Sequence, residues 1–179
     1  STMSKLDLQY HHNRSSCAGM WGWLDADLQT VIEPKYVYAM NFLNGRAIVC
    51  KGEWSTVEKD GALRYWCANE GWGVIDQQER ELVPCRFDEL YEIDDTDRLY
   101  FVHEGGWKDG HYAIYDVQEQ KVILELDFNF DMGYMFNECF VADGDILVFM
   151  DHLPGKGEDL IYAYDLHSKK YVAYAESYT

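Results

Sequence analysis

The chain is organised around residues 69–103, which read NEGWGVIDQQERELVPCRFDELYEIDDTDRLYFVH. The short apolar run Trp72–Ile75 contains Gly73, and a glycine inside a strand typically marks a place where another segment packs closely on the backbone. Asp76 then opens a polar stretch, and an aspartate there can accept hydrogen bonds from backbone N–H groups just ahead and so close a turn. A second short strand is expected to stop at Pro84, which has no N–H to donate. The pattern predicts a strand–turn–strand unit, with a third strand after the acidic stretch.

The same order of parts occurs earlier in the chain, over residues 19–49. Trp21 and Tyr36 are 15 residues apart, and the residues in the same places of the later copy, Trp72 and Phe87, are also 15 apart. Equal spacing between the aromatic residues that begin and end the two units indicates a true repeat.

Two looser copies follow, marked by the aspartate that ends their first strand. The four marker aspartates are Asp25, Asp76, Asp116 and Asp165, at steps of 51, 40 and 49 residues. The third copy has Ala113 in place of the glycine, and neither of the last two copies carries the proline. A period of this size is in the range of propeller blades and other stacked β units.

The repeated pattern, Trp-Gly followed by an apolar residue, Asp, a turn, an apolar pair, Pro and an aromatic, resembles the WG (KWG) repeat family of bacterial β-repeat proteins. Two units match well and together cover about 70 residues. The resemblance implies a β-repeat scaffold of a kind generally regarded as binding other molecules.

The expected fold class is all-β, because short runs of Val, Ile, Tyr and Phe separated by Gly, Asp and Asn recur throughout and long capped apolar segments are missing. We expect repeated three- to four-stranded antiparallel units in a propeller-like array, with an open β stack as the alternative. The expected organisation is a single β-repeat domain over residues 3–179, with repeats at about 18–53, 69–104, 109–142 and 145–175. Ser1-Thr2 ahead of Met3 is typical of an expression scar.

Two stretches do not fit the repeat. Asp60-Gly61 lies between apolar runs, which is a strong hairpin signal, so this region is expected to form an extra strand pair or an exposed arm. Residues 104–110 read EGGWKDG and predict a glycine-rich loop. Trp107, in the middle of this loop, is expected either to pack against the rest of the protein or to be exposed for binding to a partner.

The net charge of −17 is the strongest functional clue in the sequence. It disfavours nucleic-acid and anionic membrane partners, whose binding depends on lysine and arginine. Residues 88–97 hold six carboxylates, and residues 122–155 hold seven more, with no Lys or Arg in either stretch. These are either solvated loops that keep the protein soluble, or an acidic, aromatic-lined face for a basic protein. A mimic of nucleic acid that occupies the basic active site of a nuclease is one form of the second interpretation.

That second interpretation selects candidate partner-binding residues. They are Glu89, Tyr91, Glu92, Asp94, Asp95, Asp97, Trp107, Tyr134 and Phe136. It predicts a non-enzymatic scaffold, an immunity- or inhibitor-type protein or an adaptor, for a basic partner such as a toxin or nuclease. The alternative is a small-ligand or carbohydrate-binding protein, with clustered carboxylates that could serve a hydrolase.

Motifs for catalysis, nucleotide binding and metal binding are missing from the sequence. The five cysteines stand singly, without a zinc spacing, and are expected to be reduced, structural thiols. The histidines His103, His111, His152 and His167 also stand alone. We therefore expect no catalytic residues, no cofactor and no metal. A signal-peptide h-region is missing too, which favours a cytoplasmic location.

Overall fold

The computed structural model describes residues 7–12, 19–93, 97–126, 140–142, 145–153 and 158–178. Its strands are β1 (Asp7–His12), β2 (Gly19–Leu24), β3 (Thr30–Tyr36), β4 (Tyr38–Ala39), β5 (Arg46–Lys59), β6 (Ala62–Asp76), β7 (Glu81–Phe87), β8 (Glu89–Glu92), β9 (Leu99–Glu104), β10 (His111–Asp116), β11 (Lys121–Glu125), β12 (Phe140–Ala142), β13 (Ile146–Leu153), β14 (Glu158–Asp165) and β15 (Lys170–Tyr178). One helical turn, α1 (Gly106–Asp109), lies between β9 and β10. The all-β expectation is confirmed. In these ranges no helix has the length and apolar character needed to cross a membrane.

In the part of the chain that the structure describes, the strands form four sheets, each built from strands consecutive in the chain. The first sheet has the order β1-β2-β3, the second β4-β5-β6-β7, the third β11-β10-β9-β8 and the fourth β12-β13-β14-β15. Pairing is antiparallel between neighbours. The predicted three- to four-stranded antiparallel units are thus confirmed, whereas their arrangement as a propeller-like array stays a prediction.

Sequence repeats and sheets are out of phase. The repeat at about 18–53 supplies β2 and β3 to the first sheet but β4 and β5 to the second. The repeat at about 69–104 likewise contributes to the second and third sheets. These two repeats each end one sheet and begin the next one along the chain, so that sheets consecutive in the chain share a repeat.

The chain divides into two compact units, the first ending at Leu90 and the second beginning at Tyr91. A core cluster of the first unit joins the first and second sheets through Trp23, Ile32, Tyr36, Ala47, Val49 and Ile75. A cluster of the second unit joins the third and fourth sheets through Ile93, Leu99, Phe101, Ile114, Leu126, Leu147, Tyr164 and Leu166. Within each unit, one small sheet covers the apolar face of another, which a lone three-stranded unit cannot do for itself. The prediction of a single domain stays a prediction.

The hairpin of β6 and β7 explains the Trp-Gly spacing. Trp72 lies opposite Phe87 and Val74 lies opposite Val83, so three residues of β7 face Gly73 alone. A Cβ on Gly73 would lie 2.5 Å from the Val83 carbonyl oxygen, which no side chain can tolerate. The 15-residue spacing is therefore the distance along the chain between cross-strand partners around a large bulge.

The hairpin of β2 and β3 repeats this arrangement. Trp21 lies opposite Tyr36 and Trp23 opposite Ile32. A Cβ on Gly22 would clash with the Ile32 carbonyl oxygen in the same way. The two Trp-Gly units are thus alike in register as well as in sequence.

Pro84 does not end its strand, and that prediction was wrong. β7 runs through the proline, over Glu81–Phe87. The proline sits in the bulge, where the ladder of backbone hydrogen bonds is already interrupted, so its missing N–H costs no bond.

The looser copies form the same kind of hairpin with a smaller irregularity. In the pair β10 and β11, Ile114 lies opposite Leu124 and Tyr115 opposite Val122, so only Ile123 is extra. In the pair β14 and β15, only Val172 is extra. A one-residue bulge does not need the glycine, which accounts for an alanine in its place.

Candidate partner-binding surfaces and a carboxylate–histidine cluster

Each of the four marker aspartates closes the hairpin turn that follows it. Each accepts hydrogen bonds through Oδ1 from backbone N–H groups just ahead: Asp25 from Asp27 and Gln29, Asp76 from Gln78 and Arg80, Asp116 from Gln118 and Glu119, and Asp165 from His167 and Ser168. The bonds from Ser168 and His167 lower the pKa of Asp165. These carboxylates are turn residues, as the sequence predicted.

Asp76 and Asp116 also each form an ion pair with an arginine side chain. Burial of Asp76 acts to raise its pKa, but the backbone N–H and the guanidinium of Arg80 outweigh it, and the pKa is lowered. Asp116 is fully buried and accepts a bidentate pair of bonds from Arg98, with the shortest N···O distance at 2.9 Å. Two of the four turn aspartates, Asp76 and Asp116, therefore also form an ion pair with an arginine.

Much of the positive charge in the described ranges is engaged by carboxylates. The pairs are Lys35 with Glu79, Lys51 with Glu81, Arg80 with Asp76, Arg98 with Asp116 and Lys169 with Glu119. Because carboxylates outnumber basic side chains 32 to 15 over the chain, this internal pairing leaves a surplus of acid at the surface.

Three of the predicted partner-binding residues share β8, an edge strand of the third sheet. Glu89, Tyr91 and Glu92 are all half-buried there, and each makes contacts within the chain. The ring of Tyr91 packs against the core cluster of the second unit, so part of it is committed to the interior. Carboxylates on an edge strand also discourage pairing with another chain.

The other predicted residues are scattered or lie beyond what the structure describes. Asp97 is half-buried just ahead of β9. Trp107 lies in α1, so the predicted glycine-rich loop contains a helical turn. Asp94, Asp95, Tyr134 and Phe136 lie outside the described residues, and the side chain of Trp107 does too. Among the described residues, Glu89, Tyr91 and Glu92 therefore lie together on β8, and Asp97 lies in the connection from β8 to β9.

A long hairpin carries several of the exposed large apolar side chains of the first unit. β5 and β6 stay paired from Arg46 and Asp76 out to Lys59 and Ala62. We call residues 53–68 the arm. The arm is the part of β5 and β6 that extends past β4 and β7. Its two strands pair with each other, and no third strand pairs with them in the described ranges.

The arm turns at Asp60 and Gly61, with φ angles of 54° and 76°. Two positive φ values in a two-residue loop are the geometry that suits the twist of a hairpin. The exposed-arm alternative predicted from the Asp-Gly signal is the one observed.

Exposed apolar side chains lie on both faces of the arm. Val57 and Trp66 share one face, where they are 47% and 50% exposed. Leu63 lies on the other face and is 64% exposed. Because successive residues of a strand point to opposite faces, a partner that gripped the arm would meet apolar surface on either side.

Aromatic packing fixes the root of the arm. The indole N–H of Trp54 donates a 2.9 Å hydrogen bond to the Gly19 carbonyl oxygen of β2. Tyr38 stacks on Trp72, with ring centroids 5.7 Å apart, and meets Trp54 edge-on at 5.9 Å. The arm thus projects from a rigid base.

Cysteines of the second sheet are poor nucleophiles. Burial, followed by the charge of Glu70, raises the pKa of Cys50 to about 12. Burial and the charge of Glu81 raise the pKa of Cys85 to about 12. Cys50, Cys67 and Cys85 are free thiols. Cys17 and Cys139 lie outside the described residues.

One cluster of metal-ligating side chains was missed from the sequence. Glu104, His111 and Glu125 offer ligand atoms within 4.8 Å of one another on the third sheet. They are 7 and 14 residues apart in the chain and match no known spacing. Only the pairing of β9, β10 and β11 brings them together, so the description of His111 as standing alone was wrong.

The arm residues were also missed as binding candidates. The Asp-Gly signal predicted the hairpin but pointed to no partner-binding residue on it, because a hairpin signal does not tell which strand segments extend past the sheet. The available signal was the set of large apolar residues within six positions of the turn, where a solvated hairpin normally carries polar side chains.

Comparison with known proteins agrees with the repeat. The family model for the WG containing repeat matches residues 21–53 and 72–107. No curated protein matches the chain. The matched segments are the two that carry the Trp-Gly bulge, and the looser hairpins fall outside them. The chain therefore carries two repeats of the WG-containing repeat family.

Proposed function

We propose that the protein is a non-enzymatic scaffold that binds a basic protein, in the manner of an immunity or inhibitor protein or an adaptor. The observation that carries this proposal is the arm, with Trp66, Leu63 and Val57 exposed on a rigidly anchored hairpin. The partner has the chemistry of a toxin or nuclease, whose active site is rich in lysine and arginine.

The arm offers the two components of a protein-binding element. Trp66 supplies an aromatic anchor, because tryptophan, tyrosine and arginine are the residue types that most often contribute strongly to binding energy at interfaces. The outer edges of a two-stranded ribbon also carry backbone N–H and C=O groups that can accept a further strand from a partner. Side-chain anchors and backbone pairing would act on the same segment.

The charge of the chain supports a basic partner. The net charge is −17, and several of the basic side chains are paired internally. An acidic surplus of this size accelerates encounter with a positively charged protein, and the effect falls with added salt. The arm itself carries Glu53, Glu58 and Asp60 against Lys59 and Arg64.

The experiment is affinity capture with the purified protein at low and at high salt, followed by binding measurements on the purified captured protein. We expect a basic protein that binds at low salt and weakens as salt is added. Trp66→Ser should weaken its binding by about 30-fold, which corresponds to the roughly 2 kcal/mol typical of an anchor residue. Val172→Ser, which alters an exposed apolar residue of β15 that is 54% exposed, is the matched control and should bind as the parent does.

The predicted acidic face is tested in the same assay. If Asp94→Asn/Asp95→Asn/Asp97→Asn abolishes binding while Trp66→Ser does not, the acidic stretch is the binding surface and the arm is not. If nothing basic is retained, or if retention is indifferent to salt, the proposal fails. Salt-independent binding displaced by a sugar would identify the carbohydrate alternative instead.

A further inference from the structure

Three side chains on neighbouring strands converge on one face of the third sheet. Glu104 and His111 are cross-strand partners on β9 and β10. Glu125 of β11 lies opposite Ala113, two residues from His111 and therefore on the same face. The His111 Nε2 atom is 3.7 Å from Oε1 of Glu104 and 3.7 Å from Oε1 of Glu125.

The geometry is close to that of a zinc site. Zinc binds imidazole nitrogen and carboxylate oxygen at about 2.0–2.2 Å in a tetrahedron, whose ligand atoms are about 3.3–3.5 Å apart. The two separations of 3.7 Å from His111 Nε2 need to close by about 0.2–0.4 Å around an ion, and the ligand atoms of the two carboxylates, which lie within 4.8 Å of each other, by up to about 1.5 Å. Rotation of the long glutamate side chains is sufficient for such a change.

A second observation comes from His111 itself. Its Nε2 atom is buried from solvent and has no hydrogen-bond partner within the described chain. An unsatisfied buried polar atom is rare in folded proteins and calls for an occupant or a function. A cation between the imidazole and the two carboxylates would satisfy it.

We propose that Glu104, His111 and Glu125 bind a zinc ion. The neutral imidazole and two carboxylates balance the charge of the ion, and a water molecule completes the tetrahedron. Glu125 is 70% exposed and gives the ion a path from solvent. Bound zinc would tie three strands together beside the turn that carries α1, and its presence does not depend on the protein-binding function.

The test is zinc binding by chelator-treated protein, measured by equilibrium dialysis under reducing conditions. We expect one zinc ion per chain. His111→Ala and Glu125→Gln should each weaken binding at least about tenfold. Glu125→Gln changes an exposed side chain, so it tests the site even if His111→Ala does not fold.

Two control variants match these changes. His167→Ala removes an exposed histidine, and Glu119→Gln removes an exposed carboxylate of the β10–β11 turn. Both should bind zinc as the parent does. Cobalt(II) substitution should give the visible bands of a tetrahedral nitrogen and oxygen site.

Three results would overturn the proposal. The first is a parent protein that retains no zinc. The second is equal zinc binding by His111→Ala, Glu125→Gln and the controls. The third is a thiolate-to-cobalt charge-transfer band, which would place the ion on cysteines.

Discussion

Gly73 and Pro84 lie in the same bulge, and each makes the other possible. The bulge brings the β7 backbone over Gly73. The ladder of backbone hydrogen bonds is already interrupted at the bulge, so the missing N–H of Pro84 does not cost a hydrogen bond. Asp76 and Asp116 act equally locally, since each holds the backbone of its own turn. At the scale of the residue, the glycine, proline and aspartate of the motif shape the backbone of the bulge and the turn.

Gly73→Ala should destabilise the first unit. The added Cβ would meet the Val83 carbonyl oxygen at 2.5 Å and the Cys85 Cα at 2.8 Å, so backbone must move. We expect a loss of roughly 1–3 kcal/mol in the free energy of unfolding, measured by urea titration. Gln78→Ala, at an exposed turn position of the same hairpin, should change it by less than about 0.5 kcal/mol. Equal effects of the two substitutions would show that the close approach is not needed.

Asp116→Asn should cost more than Asp25→Asn. Both substitutions keep an oxygen for the turn, but the first leaves Arg98 beside a neutral amide in a fully buried position. Because Arg98 retains 29% exposure of its side chain, we expect about 1–3 kcal/mol rather than the larger cost of breaking a fully buried pair. Asp25→Asn should cost less than about 1 kcal/mol. Urea titrations of both variants test the difference, and a larger loss for Asp25→Asn would contradict it.

Asp76 should contribute to acid sensitivity. Its pKa is lowered from 3.8, so the folded state favours the charged form. The stabilisation is complete above the unfolded pKa and is lost as the pH falls below about 4 through the folded pKa. Urea titrations from pH 7 down to pH 3 should show a steeper acid loss in the parent than in Asp76→Asn. Parallel pH profiles would rule out this contribution.

At the scale of the element, the hairpin of β5 and β6 has an inner, buried half and an outer, exposed half. Its inner half contributes Val49, Cys50 and Val74, all fully buried. Its outer half, the arm, is held by its own cross-strand pairs and its aromatic root. A projecting ribbon of this kind can open locally without unfolding the unit.

Gly61→Val should loosen the arm alone. Gly61 has a φ of 76°, which a β-branched residue adopts only with strain. We expect faster amide hydrogen exchange over residues 55–66, with no change over residues 47–50 and little change in the thermal midpoint. A lowered midpoint with faster exchange in both segments would mean that the arm and the core unfold together.

For the molecule as a whole, the excess of negative charge opposes folding. With a net charge of −17 and a pI near 4.5, repulsion between carboxylates acts against the compact state at neutral pH. Internal ion pairs offset only part of this repulsion, because basic side chains are outnumbered.

Added salt should therefore stabilise the protein. Raising the ionic strength from 0.01 to 0.15 M shortens the screening length from about 30 to about 8 Å. We expect the thermal midpoint to rise by about 2–4 °C, equivalent to about 1 kcal/mol for a chain of this size. Asp94→Asn/Asp95→Asn/Asp97→Asn should show a smaller rise. A midpoint that falls with salt would mean that ion pairs outweigh the repulsion.

The sequence by itself determined the local geometry of this protein. The 15-residue spacing from Trp72 to Phe87, the turn at Asp76 and the hairpin at Asp60-Gly61 are all set by residues close in the chain, because bulges, turn bonds and positive φ angles are local. The fold class followed from the same signals. The strand end at Pro84 was misjudged, since its tolerance depends on the bulge opposite Gly73.

Only the tertiary structure decided which side chains meet and which stay in water. Tyr91 is drawn partly into a core, Trp66 is left exposed beyond the second sheet, and Glu104, His111 and Glu125 meet across three strands. These outcomes depend on strand register and on how far each strand extends. Both are set by pairing between segments, which no single stretch of sequence contains.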